Sequence, residues 1–378
     1  MKTVLVTGAS GFIGRNLVAR LKALRDVDIL ILEREESDAE WGALAARADV
    51  VFHLAGVNRP IAPDDFHVGN CEFTERLVAL LREIRRSPAI VFSSSIQAEQ
   101  PNPYGRSKHA AEEVLHQYAR DTGGRVAIFR LKNVFGKWSR PNYNSVVATF
   151  CHNIARDVPI TISSAEHEVE LVYIDDVVDA LVDAAWNVPA VVGGVVRDEM
   201  PSSRITLGAL ADLIRQFRDM RESLFVPDLS ERFRRQLYAT YLSFVESTRW
   251  QYPLGKRADE RGDLAEFIKS VGFGQIFVSR TRPGITRGNH YHDTKTEKFL
   301  VLSGTARIRL RHVEGGEVLE FVVLGEEYRV VDIPPGYTHS ITNEGSTEMI
   351  TLFWASEVFD PTAPDTIALP VGGKEPGE

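Results

Sequence analysis

The first half of the chain alternates short β-branched apolar runs with amphipathic stretches. Thr3 to Thr7, Val27 to Leu32 and Val50 to Leu54 read as strands, and Asn16 to Leu24 reads as a helix between the first two. In that helix Leu17, Leu21 and Leu24 fall on one face at helical spacing, which predicts that they pack on a sheet. Further strands are predicted at Ala89 to Phe92 and Val126 to Leu131, separated by a helix from Tyr104 to about Asp121. Strands that alternate with helices predict βαβ units and an α/β Rossmann-type parallel sheet. From about Leu207 to Leu242 the pattern is helical and charged. After Gln251-Tyr252-Pro253-Leu254-Gly255 it changes to short alternating strands with Gly- and Pro-containing turns, among them Phe299 to Leu302, Ala306 to Leu310 and Phe321 to Leu324. That spacing predicts an all-β barrel or sandwich. The boundary falls near residue 246, giving domains 1–245 and 246–378, and the tail from Pro361 onward is expected to be irregular and to lie on the surface.

Length supports the division, because 378 residues exceed the size at which one core stops growing. A net charge of -8 argues against non-specific nucleic-acid binding and leaves room for a local basic pocket. Cys71 and Cys151 are the only cysteines, too few for a disulfide framework, which predicts buried thiols in a reducing compartment. The opening residues carry no leader pattern and no later run is long enough to span a bilayer, so a cytoplasmic location is expected, with no membrane partner.

Directly after the first strand comes Gly8-Ala9-Ser10-Gly11-Phe12-Ile13-Gly14, leading into the first helix. Glycines there permit a tight turn, let backbone N–H groups approach a pyrophosphate and allow the helix to pack closely on the sheet. The spacing differs by one residue from the usual three-glycine form, and any tight strand-to-helix turn can use three glycines. At the end of the second strand, Leu32-Glu33-Arg34 is placed to meet the adenosine ribose. An acid there suits a free 2′-hydroxyl and an arginine suits a 2′-phosphate; Arg34 tips the expectation to NADPH, because a guanidinium binds phosphate bidentately.

Tyr104 and Lys108 are four residues apart at the start of a predicted helix, so their side chains share a face. An ammonium beside a phenol lowers the phenol's pKa, which predicts a tyrosine able to exchange a proton with a carbonyl near neutral pH. Upstream, Phe92-Ser93-Ser94-Ser95 closes a strand on the same edge; Ser95, and after it Ser94, are the hydroxyls expected to hydrogen-bond the reacting oxygen.

Together the glycine turn, His53-Leu54-Ala55-Gly56, the serine run, Tyr104 with Lys108, and Arg130 to Gly136 resemble the extended short-chain dehydrogenase/reductase family, over nearly all of the first 245 residues. The resemblance implies an enzyme acting on a nucleotide sugar. Gly8, Ser10, Gly11, Phe12, Ile13 and Gly14 would then cradle the pyrophosphate, Leu54, Ala55 and Gly56 would border the cofactor, Tyr104 would be the general acid/base, and Lys108 would contact the nicotinamide ribose. Asn133, with Asn58 and Arg59, would border the substrate. Asp175 resembles part of the family's late segment, or caps a helix.

In the second half His290 and His292 are two apart, so a strand points both the same way. With Glu297 and His339 they offer three imidazoles and one carboxylate, a set suited to zinc, iron, nickel or manganese. Their spacing, with Gly304 behind Glu297, resembles the paired motifs of the cupin superfamily, and zinc is the first expectation. A sugar-type reductase followed by such a cupin resembles the bifunctional capsular polysaccharide synthesis enzymes; Ala55 to Pro60, Lys137-Trp138, Pro141 to Ser145 and Glu297 to Leu300 carry that likeness. It implies a UDP-linked 4-keto-hexosamine substrate, epimerised at C3 by the cupin and reduced at C4 by the first domain, on a route to UDP-N-acetyl-L-fucosamine, in a homodimer. Tyr291, Lys295 and Glu348 are the candidates for the epimerisation base. Three alternatives stay open: a reductase with a structural or dimerising cupin, a 4-epimerase, and a non-enzymatic NADP and sugar-nucleotide sensor.

Overall fold

The computed structural model describes residues 2–33, 37–60, 62, 64–187, 193–197, 199–224, 226–254, 256–259, 262–265, 274–357 and 362–372. Contacts divide the chain into two compact units, one of Met1–Ser145 with Val169–Ile205 and one of Val146–Glu168 with Thr206–Glu378.

Elements alternate through the first part of the chain: β1 (Lys2–Thr7), α1 (Phe12–Lys22), β2 (Val27–Leu32), α2 (Asp38–Arg47), β3 (Val50–His53), α3 (Phe73–Glu83), β4 (Ala89–Ser95), α4 (Pro103–Thr122), β5 (Val126–Leu131) and β6 (Asn133–Phe135). Then come α5 (Val146–Ile154), β7 (Glu168–Tyr173), α6 (Ile174–Asn187), β8 (Val195–Arg197) and β9 (Ser202–Thr206). Among the described residues the first unit is built on a six-stranded sheet in the order β2-β1-β3-β4-β5-β8, with every described pairing parallel. The fold is therefore of the α/β Rossmann type. Its core forms where the apolar faces of α2, α3 and α4 meet the sheet: Leu77, Leu81, Leu115 and Tyr118 lie against Leu5, Val51, Ile90 and Phe92. Leu17 and Leu21 of α1 are buried, whereas Leu24 lies beyond the end of that helix. The chain leaves β1 and β3 side by side, with Thr7 opposite His53, and the reversal of strand order there opens the crevice in which such sheets take ligands.

The second unit adds α7 (Leu207–Ser223) and α8 (Arg232–Phe244) to α5, followed by the strands β10 (Gln251–Pro253), β11 (Lys256–Asp259), β12 (Gly262–Ala265), β13 (Gln275–Thr281), β14 (Thr286–Tyr291), β15 (Glu297–Ser303), β16 (Thr305–His312), β17 (Leu319–Leu324), β18 (Arg329–Ile333), β19 (Tyr337–Asn343), β20 (Met349–Ala355) and β21 (Ile367–Ala368). Two five-stranded antiparallel sheets, β10-β18-β15-β20-β13 and β17-β16-β19-β14-β21, make it β-rich and cupin-like. They meet through aromatic contacts such as Phe299 on His339, with ring centroids 5.6 Å apart. Within this unit Lys298 of β15 and Asp332 of β18 are fully buried and 2.5 Å apart, and Arg221 of α7 reaches the other oxygen of Asp332 at 2.6 Å. Burial alone would lower the Lys298 amine; the Asp332 carboxylate outweighs it and holds the amine above its ordinary value.

One expectation is corrected and one is refined. The helical stretch from Leu207 to Leu242 is two helices, because Leu224 takes a left-handed conformation (φ 59°) that closes α7, with Pro227 following. The described tail residues 362–372 are mostly irregular and exposed, as expected, but the segment is tied down: Ile367–Ala368 pairs with β14 and Val371 is buried. Among the described residues no helix is long and apolar enough to cross a membrane.

Candidate active site and metal centre

The glycine turn is shaped by contacts that only glycine permits. Gly8 has φ 69°, and a Cβ there would lie 2.6 Å from the Ala55 nitrogen; one on Gly14 would lie 2.0 Å from the Gly8 carbonyl oxygen. α1 thus begins directly over the ends of β1 and β3. Its N-cap, Gly11, is extended and caps nothing with a side chain, a fit for a pyrophosphate accepting the first-turn N–H groups. Ser10, Phe12 and Ile13 lie within this turn, and Leu54, Ala55 and Gly56 pass under it as the chain leaves β3. His53 is buried between the Thr7 and Thr74 hydroxyls, each at 2.9 Å. Burial, aided by the nearby Lys108 charge, takes its pKa down to about 3, so it is a neutral hydrogen-bonding strut. Arg34 lies outside the described residues.

Tyr104 and Lys108 sit in the first two turns of α4, whose N-cap Asn102 accepts from the Gly105 N–H at 2.8 Å. A Cβ on Gly105 would lie 2.1 Å from the Gln97 carbonyl oxygen, so glycine lets this helix start press against the turn after β4. The Ser95 side chain lies near enough to the Tyr104 phenol to favour its ionised form. Lys108, 4% exposed, donates to the Ser93 carbonyl at 2.7 Å and lies 4.4 Å over the Phe92 ring. The expectation that Lys108 lowers the Tyr104 pKa is corrected here: burial raises the phenol, only Ser95 opposes the rise, and the ammonium is spent on a carbonyl and a ring. Lys108 itself is pushed down to about 8 by burial, partly offset by Glu112.

The two serines part company, since neighbours on a strand point to opposite faces. Ser95 faces Tyr104, whereas Ser94 donates to buried Glu112, which also holds the Arg130 guanidinium at 2.7 Å. Asn133 is exposed on β6 and donates to the Glu170 carbonyl at 3.2 Å. Asn58 and Arg59 are exposed after β3, with the Arg59 guanidinium 5.5 Å from the Tyr143 ring. Asp175 accepts from the buried Lys137 ammonium at 2.9 Å.

Two residues of this site escaped the sequence reading. Glu112 continues the Tyr104–Lys108 face by another four residues, so helical spacing could have found it. Asn70 could not be found that way: it exchanges hydrogen bonds with the Val57 backbone at 2.9 Å and reaches the Ser107 hydroxyl at 3.0 Å, tying the loop after β3 to α4.

In the second unit His290, His292, Glu297 and His339 converge, with their ligand atoms all within 4.8 Å of one another. Glu297 Oε2 lies 3.3 Å from Nε2 of both His292 and His339. Ligands at about 2.0–2.1 Å from a tetrahedral ion are separated by about 3.3 Å, so the spacing fits a divalent cation such as zinc. His292 Nε2 is buried and makes no hydrogen bond, as a nitrogen reserved for a metal should be. Its Nδ1 bonds the Asp365 carbonyl, which can only accept, so the proton is on Nδ1. Burial and the neighbouring imidazoles lower His290 to about 4. Glu297 is held well below the usual carboxylate range: burial would raise it, and the adjacent His292 and His339 rings outweigh that. Of the candidate bases, Glu348 is exposed, while Tyr291 and Lys295 are buried.

The model of the NAD dependent epimerase/dehydratase family matches residues 4–195, more than half of the chain. The chain belongs to this family. The model of the polysaccharide biosynthesis C-terminal domain matches residues 257–367 of the same epimerase/dehydratase family member. The chain is 45% identical over 369 residues, covering 98% of itself and 99% of its relative, to a Pseudomonas aeruginosa protein named UDP-2-acetamido-2,6-beta-L-arabino-hexul-4-ose reductase. Among solved structures it is similar to the capsular polysaccharide assembling protein CapF from Staphylococcus aureus, with 44% identity, a TM-score of 0.66 and coverage of 97% of this chain and 100% of that one. Bordetella bronchiseptica WbmF, at 21% identity, a TM-score of 0.51 and coverage of 57% of this chain and 78% of its own, shares the fold alone. Membership of the epimerase/dehydratase family implies a nicotinamide cofactor, and the glycine turn is the cradle that fits one.

Proposed function

We propose that the chain is a bifunctional nucleotide-sugar enzyme acting on a UDP-2-acetamido-2,6-dideoxy-4-keto-hexose. Residues 246–378 epimerise C3, and residues 1–245 carry out NADPH-dependent reduction at C4, giving UDP-2-acetamido-2,6-dideoxy-L-talose for capsule or O-antigen polysaccharide. The reading places it in the cytoplasm as a homodimer. The observation that carries it is the presence, in one chain, of a tyrosine–serine–lysine site beside a glycine cradle and of a buried three-histidine, one-carboxylate cluster. The printed names of the relatives point the same way.

NADPH, when bound in the cradle, supplies the hydride. The chain's part is to hold the C4 ketone against Tyr104 and Ser95 and to deliver a proton to its oxygen. Because burial raises the Tyr104 pKa, the phenol keeps its proton at neutral pH, the form that a reduction needs from its acid. Lys108 would secure the nicotinamide ribose, and Asn58, Arg59 and Asn133 would border the sugar nucleotide.

A divalent ion held by His290, His292, Glu297 and His339 supplies polarisation of a carbonyl, which acidifies the adjacent C–H. The chain must add a base that takes the C3 proton and returns it on the other face. Lys295 is the buried candidate that remains, because alternation along β14 puts Tyr291 on the face opposite His290.

Mass spectrometry in heavy water separates the two activities. Without NADPH the substrate should take up one deuterium at C3; with NADPH it should gain two hydrogens while the cofactor is oxidised stoichiometrically. Tyr104→Phe should abolish the second signal and keep the first. Loss of both in that variant would refute two separate sites, and the absence of deuterium uptake in the parent would make the cupin non-catalytic.

A further inference from the structure

We infer that the C-terminal strap, residues 362–372, is a working part of the metal centre, with Asp365 as the positioning residue that sets the orientation and tautomer of His292. The inference rests on the metal reading given above. It starts from where the strap's bonds land. The Asp365 carboxylate accepts three successive backbone N–H groups, those of Asp293 at 2.8 Å, Thr294 at 3.1 Å and Lys295 at 2.8 Å, and also the Thr294 hydroxyl at 3.1 Å. These residues join His292 to Glu297. With its side chain fixed there, Asp365 presents its own carbonyl to His292 Nδ1.

The rest of the strap grips the remaining imidazole positions. Ala368 is paired with His290 and Ile367 with Tyr291. Leu369 donates to the Asn289 carbonyl at 2.9 Å, and its own carbonyl accepts from the hydroxyl of Thr338, the neighbour of His339. Val371 donates to the Asn289 side chain at 3.3 Å, and Arg311 closes the far end on the Val371 carbonyl at 3.0 Å. Asn289 is held with φ 57° between Gly288 and His290, a conformation that asparagine tolerates. Packing alone would not require a carboxylate aimed at three consecutive N–H groups beside two ligands.

The chemistry follows from the acceptor. A backbone carbonyl can hold only the Nδ1–H tautomer, which leaves the Nε2 lone pair facing Glu297 and His339. If the anchor is removed, the ring is free to turn and to place its proton on either nitrogen, and metal affinity falls. Loss of such an outer partner weakens metal binding by roughly 10- to 100-fold.

The test is a zinc titration of the full chain against a chromophoric chelator, in the parent, Asp365→Ala and Asp365→Asn, with the melting temperature of each metal-free protein recorded alongside. Asp365→Ala should weaken zinc binding at least tenfold and change the visible absorption of the cobalt-loaded protein. Asp365→Asn, which keeps one acceptor oxygen and folds if the alanine variant does not, should fall between. A variant that melts earlier without metal yet binds zinc within twofold of the parent would overturn the inference, reducing the strap to packing. A parent that binds no zinc or cobalt would sink the metal reading and the strap with it.

Discussion

Replacing Lys108 by methionine should remove activity and, at neutral pH, relieve the fold. The amine is buried and its pKa is pushed from 10.5 down to about 8, so the charged form is disfavoured in the folded state. The sign follows: the folded state gives up this proton first, the unfolded chain binds more protons between pH 8 and 10.5, and stability must rise with pH across that window. From pH 7 to pH 10 the rise is about 2.5 kcal/mol for a shift of this size. Methionine has a similar length and no proton to lose. It also forfeits the bond to the Ser93 carbonyl, an offset of about 1–2 kcal/mol that does not vary with pH. The informative quantity is therefore the difference between parent and Lys108→Met as a function of pH, in which other titrations cancel. At about 2–4 °C per kcal/mol, melting of the unit should shift by roughly 5–10 °C in favour of the parent between pH 7 and pH 10. A difference that stays flat over that range would refute the claim that Lys108 is a charge held against its solvation.

Three further outcomes are expected. Gly14→Ala should cut NADPH affinity at least about tenfold in a fluorescence titration, because its Cβ would lie 2.0 Å from the Gly8 carbonyl oxygen and must push α1 off the sheet, at a cost of about 1–3 kcal/mol; unchanged affinity would argue against the cradle. Asp332→Ala should lower stability by about 3–5 kcal/mol in a denaturant titration, since it leaves Lys298 charged and buried without its partner, and adding Lys298→Met should restore much of the loss; a loss under about 1 kcal/mol would contradict the buried pair. Chelation should lower the melting temperature of the metal-loaded chain and added zinc should restore it, whereas Glu297→Gln should make melting insensitive to both.

Much of the fold was legible because its signals are local. The alternation of apolar runs and helices gave the parallel sheet, and the glycine turn fell at the first strand–helix junction as its spacing predicts. The four potential metal ligands were visible as a set because three of them lie within eight residues and the fourth follows a Pro-Gly turn. What stayed hidden depends on contacts distant in sequence. Ser94 and Ser95 look alike in the sequence, and only the packing of α4 against β4 sends one to Glu112 and the other to Tyr104. The direction of the Tyr104 shift was misjudged because helical spacing reports a shared face and not where the Lys108 ammonium finds its partner. Asp365 lies 73 residues from His292 and no pattern links them. The helices Val146–Ile154, Leu207–Ser223 and Arg232–Phe244 gave no sign that they share a compact unit with the β-rich segment, an affiliation set in part by Arg221 reaching Asp332.

Of the three clustered imidazoles, His290 and His339 lie on β14 and β19 of one sheet and His292 directly follows β14, while the carboxylate of Glu297 comes from β15 of the other. A cation seated among them would act as a rivet through the seam of the sandwich. Withdrawing it should let the layers breathe apart, and amide protons of Phe299–Val301 and of Thr338–Ser340 would then exchange faster together, though they sit on opposite leaves.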